Sequence, residues 1–231
     1  MTAKLILALD FSEKETALAL AAKLKGVVPW MKVGLELFTV AGPEVVLRLK
    51  DMGFNVFLDL KFHDIPNTVK GACRSAANLG ADLVTLHHAG GERMAGAALE
   101  GIAEAGRATM PFAVTLLTSA SAEEAGLAGA DVALNVSARA LQAKAWGLPG
   151  VVCSGHEALA VKKVCGLDFY CLCPGIRMAD AVADDQRRVM TPAEAVRAGA
   201  DFLVVGRPIT RAGDPLDAAR VVLEDMDRGA C

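Results

Sequence analysis

Eight short apolar runs, beginning near residues 5, 30, 55, 81, 112, 150, 168 and 202, alternate along the chain with stretches of helical character. That alternation is the tightest constraint on the fold. Each strand-plus-helix unit is too short for anything but a right-handed crossover between parallel strands. Eight such units point to a closed (β/α)8 barrel, an α/β fold for which 231 residues is an ordinary length. An open, doubly wound sheet is the alternative arrangement of the same units. No linker or low-complexity stretch interrupts the series, so residues 1–231 read as a single barrel domain. A hydrophobic fraction of 53% with only 5% aromatics leaves Ala, Val and Leu to fill the core between helices and a buried sheet.

Helices are expected over residues 13–24, with Ser12 as N-cap, and over 42–52, 67–79, 92–105, 138–146, 157–164 and 215–226. Before the eighth strand, Thr191, Pro192 and Glu194 have the spacing of a capping box with proline at the first helical position.

Several function classes fall away. A net charge of -3 leaves no basic footprint for nucleic acid, and no cluster of Lys and Arg flanks a membrane-length apolar stretch. The apolar run at the N-terminus is too short for a signal peptide and ends in Asp10, so a cytoplasmic protein is expected. Six cysteines are scattered without a C-x-x-C pair and read as buried thiols, with no disulfide framework. Neither a G-x-G-x-x-G turn after the first strand nor a Walker motif is present, so nicotinamide and ATP chemistry have no support.

The third strand carries the chemistry. Its apolar start, Asn55 to Leu58, acquires two charges at the far end, Asp59 and Lys61. Strand side chains alternate, so these two share a face with Phe57, while Leu58 and Leu60 point the other way. Asp64 follows in a turn closed by Pro66, near enough to bring a second carboxylate to the same ammonium. Taken alone, Asp64 also suits the N-cap of the next helix, and Lys61 a solvated strand end. An acid, a base and an acid at one strand mouth are costly to bury, and such clusters mark functional sites. By the same strand assignment Asp10, Lys32 and Thr118 fall at the C-terminal ends of their strands, where barrels build active sites.

After the eighth strand, Gly206 and Arg207 occupy the position where barrels commonly bind phosphate, although a Gly-containing turn with a solvated Arg fits equally. Arg177 and the run Asp185-Gln-Arg-Arg188 add donors after the seventh strand. His63, His87, His88 and His156 have no second ligand at helical spacing, so no metal site is expected, and His87 reads as a hydrogen-bonded barrel residue.

Residues 59–68, Asp-Leu-Lys-Phe-His-Asp-Ile-Pro-Asn-Thr, resemble the defining decapeptide of the orotidine 5'-monophosphate decarboxylases, in their bacterial branch. Agreement continues through Ala8-Leu-Asp10, Lys32-Val-Gly34, His87 before Gly90-Gly91, Leu117-Thr-Ser119, Pro174-Gly-Ile-Arg177, Asp185-Gln186 and Val205-Gly-Arg-Pro-Ile-Thr210, nearly the whole chain. The resemblance implies cofactor-free and metal-free conversion of orotidine 5'-monophosphate to UMP in pyrimidine biosynthesis. It makes Lys61 the proton donor to C6, flanked by Asp59, with Lys32 and Asp10 completing the charged array. It also implies a homodimer in which Asp64 and Thr68 reach into the partner's site. Thr118 matches a residue near the pyrimidine, and Arg177, Gln186, Gly206 and Arg207 match phosphate-binding groups. Two departures stand out: His88 replaces an expected small residue, and Asp184 makes the loop before Gln186 more acidic.

The nearest rival is a metal-dependent decarboxylase or aldolase acting on a phosphosugar, since related barrels share Asp-x-Lys-x-x-Asp on the third strand. A barrel that binds a nucleotide without turning it over is a rival of another class. A pure binder has no reason to keep a charge cluster whose desolvation is costly.

Overall fold

The computed structural model describes residues 3–119, 123, 124, 126, 131–178 and 190–230. Eight parallel strands follow one another around a closed barrel: β1 (Lys4–Ala8), β2 (Trp30–Gly34), β3 (Asn55–Phe62), β4 (Leu83–His87), β5 (Met110–Val114), β6 (Gly150–Val152), β7 (Tyr170–Cys173) and β8 (Phe202–Val205). Pairing of β1 with β8, from Lys4 opposite Phe202 to Leu7 opposite Val205, closes the ring and rules out the open sheet. Among the described residues the surrounding helices are α1 (Lys14–Lys23), α2 (Leu35–Ala41), α3 (Glu44–Asp51), α4 (Pro66–Asn78), α5 (Gly91–Glu104), α6 (Val132–Ala145), α7 (Gly155–Cys165), α8 (Pro192–Arg197), α9 (Arg207–Thr210) and α10 (Pro215–Ala230).

Strand alternation builds two cores. Leu5, Leu7, Met31, Val33, Val56 and Leu58 point outward and pack under the helices, while Ile6, Trp30, Phe57, Phe112, Leu172 and Phe202 fill the barrel interior. The rings of Trp30 and Phe202 meet edge to face at 5.4 Å, and Lys4 Nζ lies 5.9 and 5.7 Å from their centroids. This aromatic plug fills the N-terminal half of the barrel, so that among the described residues the barrel interior opens at its C-terminal mouth. Truncating a plug residue such as Phe112 to Ala costs on the order of 3–5 kcal/mol.

Several boundaries differ from the sequence expectation, each for a local reason. The helix expected over 42–52 forms as α3, and a further helix the sequence reading did not anticipate, α2, precedes it; Gly42, with a left-handed φ of 62°, ends α2 after Ala41, and Pro43 starts the chain into α3. Helix α6 begins at Val132 rather than 138, since the Asp131 carboxylate accepts hydrogen bonds from the Ala133 and Leu134 amides and caps it there. Ser12 does not cap α1; Glu13 stands at that position and makes no side-chain cap bond. The capping box at α8 forms as expected: Thr191 Oγ1 accepts from the Glu194 amide and the Glu194 carboxylate from the Thr191 amide. Hydrogen bonds to Thr191 hold the Glu194 carboxyl below its ordinary pKa.

Cys73, Cys153, Cys165, Cys171 and Cys173 are buried free thiols, and burial pushes Cys73 up to about 12; Cys231 lies outside the described residues. Among the described residues, no helix is long and apolar enough to cross a membrane.

Candidate active site

The mouth of the barrel opens into a cavity of about 720 Å³. Its floor is the upper layer of the inner core, Ala8, Phe57, Val114, Val152, Leu172 and Val204, which carries no polar atom beyond the backbone. Polar groups stand around this floor. On the β1–β3 side are Asp10, Lys32, Asp59 and Lys61; past β5 comes Thr118; on the β7–β8 side are Arg177, Gly206 and Arg207.

The four charges form a row of alternating sign. Asp10 Oδ1 lies 2.6 Å from Lys32 Nζ, which lies 3.9 Å from Asp59 Oδ2, and that oxygen accepts a 2.8 Å hydrogen bond from Lys61 Nζ. Each carboxylate thereby has an ammonium beside it. Exposure falls along the row towards its centre: the Asp10 side chain is 57% exposed, Lys32 10% and Asp59 13%. Attraction between charges strengthens with such burial, and so does the cost of removing either partner.

How Lys61 reaches this position departs from simple alternation. Strand β3 pairs regularly with β4 at Phe57 opposite Leu83 and Leu58 opposite Val84, and the next pair is Phe62 opposite Leu86. Asp59, Leu60 and Lys61 thus stand against Thr85 alone, a bulge that lifts the end of β3 out of the ladder. Within it Lys61 has φ 51°, the one left-handed non-glycine residue among those described. Such a conformation in an L-residue is uncommon and costs on the order of 1 kcal/mol. Asp59 and Lys61 do share the mouth, as expected, but through a strained bulge and not a flat strand.

Asp64 does not meet the expectation of a second carboxylate on the same ammonium. Its exposed side chain turns back on its own turn, where Oδ1 accepts from the Ile65 amide at 2.6 Å, and no ion pair joins it to Lys61. Ile65, preceding Pro66, is held extended with ψ 148°, which carries the turn away from the mouth. Nor is Asp64 the cap of α4, whose N-cap is Ile65. Asp64 and Thr68 line a second, shallower cavity of about 410 Å³ together with Lys61, His63 and His87. Here His87 makes no side-chain hydrogen bond among the described residues, against expectation; its ring lies 5.4 Å from that of His63. Burial, with His63 and Lys61 nearby, lowers the His87 pKa.

Thr118 sits beyond the end of β5 rather than on it, buried against the cavity. Arg177 and Arg207 line the same cavity, with the Arg177 amide bonded to the Met190 carbonyl at 3.0 Å. Gln186 and its neighbours Asp184, Asp185 and Arg188 lie outside the described residues.

Two residues of the site escaped the sequence reading. Thr85 is fully buried and bonded to both Asp59 and Lys61; the available signal was a hydroxyl on the inward face of the otherwise apolar run Leu83-Val-Thr-Leu. Gly34 packs over the Asp10–Lys32 pair, and nothing in its neighbours marks that role. Among the described residues no group of three or more His, Cys, Asp or Glu side chains is arranged to hold a metal ion.

The family profile described as orotidine 5'-phosphate decarboxylase / HUMPS matches residues 3–222. An orotidine 5'-phosphate decarboxylase of Nitratidesulfovibrio vulgaris is 55% identical over 229 residues, covering 97% of each chain. That of Lawsonia intracellularis is 48% identical over 228 residues, covering 97% of this chain and 99% of its own. Among solved structures, the orotidine 5'-phosphate decarboxylase of Lactobacillus acidophilus superposes with a TM-score of 0.85 at 35% identity, over 97% of this chain and 99% of that one. The likeness drawn from the decapeptide of β3 therefore extends through all eight strands and both sides of the mouth, and the chain belongs to the orotidine 5'-phosphate decarboxylase / HUMPS family.

Proposed function

We propose that this chain converts orotidine 5'-monophosphate to UMP and CO2, the decarboxylation of pyrimidine biosynthesis, in the cytoplasm and without a cofactor, with Lys61 as the proton donor. Family membership and the named relatives support the reaction. The single observation that carries the residue assignment is the charged row from Asp10 to Lys61 at the edge of a cavity whose other side presents two arginines.

When the bond from C6 to the carboxylate breaks, its electron pair stays on C6 in the plane of the pyrimidine ring, where the π system cannot spread it. A cation beside C6 therefore binds the transition state more tightly than the substrate, which is what lowers a barrier. Lys61 supplies that cation and then gives its proton to C6, CO2 departs, and solvent returns a proton to the amine. Asp59, itself flanked by Lys32, holds the Lys61 ammonium on a fixed line and spares the site reorganisation during the reaction.

Arg177, Gln186, Gly206 and Arg207 bind the phosphate, Thr118 lies at the pyrimidine, and Asp10 and Lys32 hold the substrate at the other end of the row. The phosphate is remote from the breaking bond, so its binding energy serves to position the substrate and exclude water. Two copies form a homodimer in which Asp64 and Thr68 of each complete the partner's site. Support for that arrangement is the outward placement of Asp64, beside an Ile65 that is 67% exposed, with no ion pair to its own Lys61.

The test is the fall in absorbance when purified protein meets orotidylate in the presence of EDTA, run beside Lys61→Ala. Conversion to UMP by the wild type that the variant lacks is the expected result. Activity of the variant within about tenfold of wild type would overturn the role of Lys61, since such a loss is small beside the roughly 10²–10⁴-fold typical of a proton-transfer group. Conversion abolished by EDTA would overturn the metal-free reading.

A further inference from the structure

Thr85 has one hydroxyl and uses it in both directions. Its Oγ1 donates to Asp59 Oδ1 at 2.9 Å and accepts from the Lys61 amide at 3.0 Å. The side chain is fully buried in the middle of β4, inside the barrel. Four residue steps along β3, from Leu58 to Phe62, are matched by two along β4, from Val84 to Leu86, so the regular ladder offers the Lys61 amide no carbonyl. A buried amide left without a partner is costly, and the bulge persists only where something replaces the ladder bond. Thr85 replaces it.

We propose that Thr85 is a positioning residue for the reaction: it pins Lys61 in its left-handed conformation and, with the same oxygen, orients the Asp59 carboxylate so that Oδ2 faces Lys61 and Lys32. The inference rests on the assignment of Lys61 as proton donor. The two functions need a group that donates and accepts at one point, which a hydroxyl does and a methyl cannot. With the hydroxyl gone, Asp59 Oδ1 loses its donor and is free to rotate away from the row, and the backbone at Lys61 is free to leave φ 51°. A displacement of the reacting amine on the order of 1 Å is enough to cost about 10²-fold in rate.

The experiment compares Thr85→Val, which keeps the shape, with Thr85→Ser, which keeps the hydroxyl. Thr85→Val is expected to lower kcat by about 10- to 100-fold, in line with an unsatisfied buried pair, while affinity for UMP, which lacks the C6 carboxylate, changes less than about threefold. Thr85→Ser is expected to stay within about fivefold of wild type. A kcat for Thr85→Val within threefold of wild type overturns the proposal. So does an equal loss in both variants, or a fall in UMP affinity that parallels kcat, since these describe mere structural support. Should Thr85→Val not fold, the serine variant still decides: a loss beyond about 50-fold is incompatible with a role carried by the hydroxyl. A crystal structure of Thr85→Val separates this inference from the assigned reaction, because it reads the position of Lys61 whatever substrate the enzyme turns over. Lys61 unmoved in that structure would overturn the inference alone.

Discussion

Gly34 lies directly over the ammonium of Lys32: a Cβ added at Gly34 would stand 2.8 Å from Lys32 Nζ and 3.0 Å from Asp10 Oδ1. The two atoms in the way are the ends of side chains, not backbone, so an added methyl displaces the ion pair without unseating β2. Gly34→Ala is therefore expected to melt within about 3 °C of wild type yet lose roughly tenfold in kcat/KM, the scale of one misplaced charged group. Steady-state kinetics beside a thermal melt checks this. Unchanged kinetics would mean that Lys32 has slack the geometry does not suggest.

The left-handed backbone at Lys61 gives a second expectation, one about stability and not rate. Lys61→Gly and Lys61→Ala both remove the amine and leave Asp59 equally short of a partner. They differ in that glycine tolerates φ 51° and alanine does not. The glycine variant is expected to be the more stable by about 1 kcal/mol, even though glycine ordinarily weakens a strand. Urea denaturation of the pair measures the difference directly. Alanine equal to or better than glycine would imply that the bulge relaxes when the side chain is gone.

These two positions also mark where reading the chain alone succeeds and fails. Strands, their order and the crowding of charge at their C-terminal ends are written in the alternation of apolar runs and in the placement of Asp10, Lys32, Asp59 and Lys61. The bulge is not, because Asp59-Leu-Lys61 looks like continuing alternation and the missing ladder bond is supplied by Thr85, 24 residues from Lys61. Asp64 was misjudged for a related reason. Proximity in sequence suggested proximity to Lys61, whereas the extended residue before Pro66 swings the turn outward. Such features depend on which strand stands next to which, and local pattern carries no information about that.

His88 sets up a pH dependence. Its ring is buried, stacks on Trp146 at 4.7 Å, and has Nε2 without a hydrogen-bond partner, with Arg139 and Gln142 of α6 beside it. Burial and then the Arg139 charge lower its pKa below the ordinary 6.5. In the unfolded chain the ring takes up a proton near 6.5, while in the fold it stays neutral to lower pH. Between those two values the unfolded state binds more protons, so stability is full above pH 6.5 and falls as the pH drops towards the folded value. His87, shifted the same way, adds to the trend. His88→Phe keeps a ring against Trp146 and removes the titration, so its stability is expected to decline less than that of wild type between pH 7.5 and 5.5. Urea midpoints at the two pH values decide, and parallel declines in both proteins would exclude His88 as a source.

A buried ion pair far from the mouth offers a separate test of what holds the barrel wall. Lys162 on α7 is 7% exposed, and its Nζ lies 2.8 Å from Asp201 Oδ2 just before β8. The ammonium also donates to the carbonyls of Leu167 and Phe169 at 2.8 and 2.9 Å, and the same Asp201 oxygen accepts from the Cys171 amide at 2.6 Å. One pair thus ties a helix to the turn before β7 and to both strands that follow. Removing a single member of such a pair strands a charge or several carbonyls away from water, which costs about 3–5 kcal/mol. Lys162→Met, close in size and without charge, is expected to lower stability by about 3 kcal/mol while leaving kcat per folded molecule unchanged, since neither residue lines the active-site cavity. A loss of less than 1 kcal/mol would mean that the methionine packs well enough to offset the pair, and a fall in kcat without a fall in stability would connect this wall to the reacting groups.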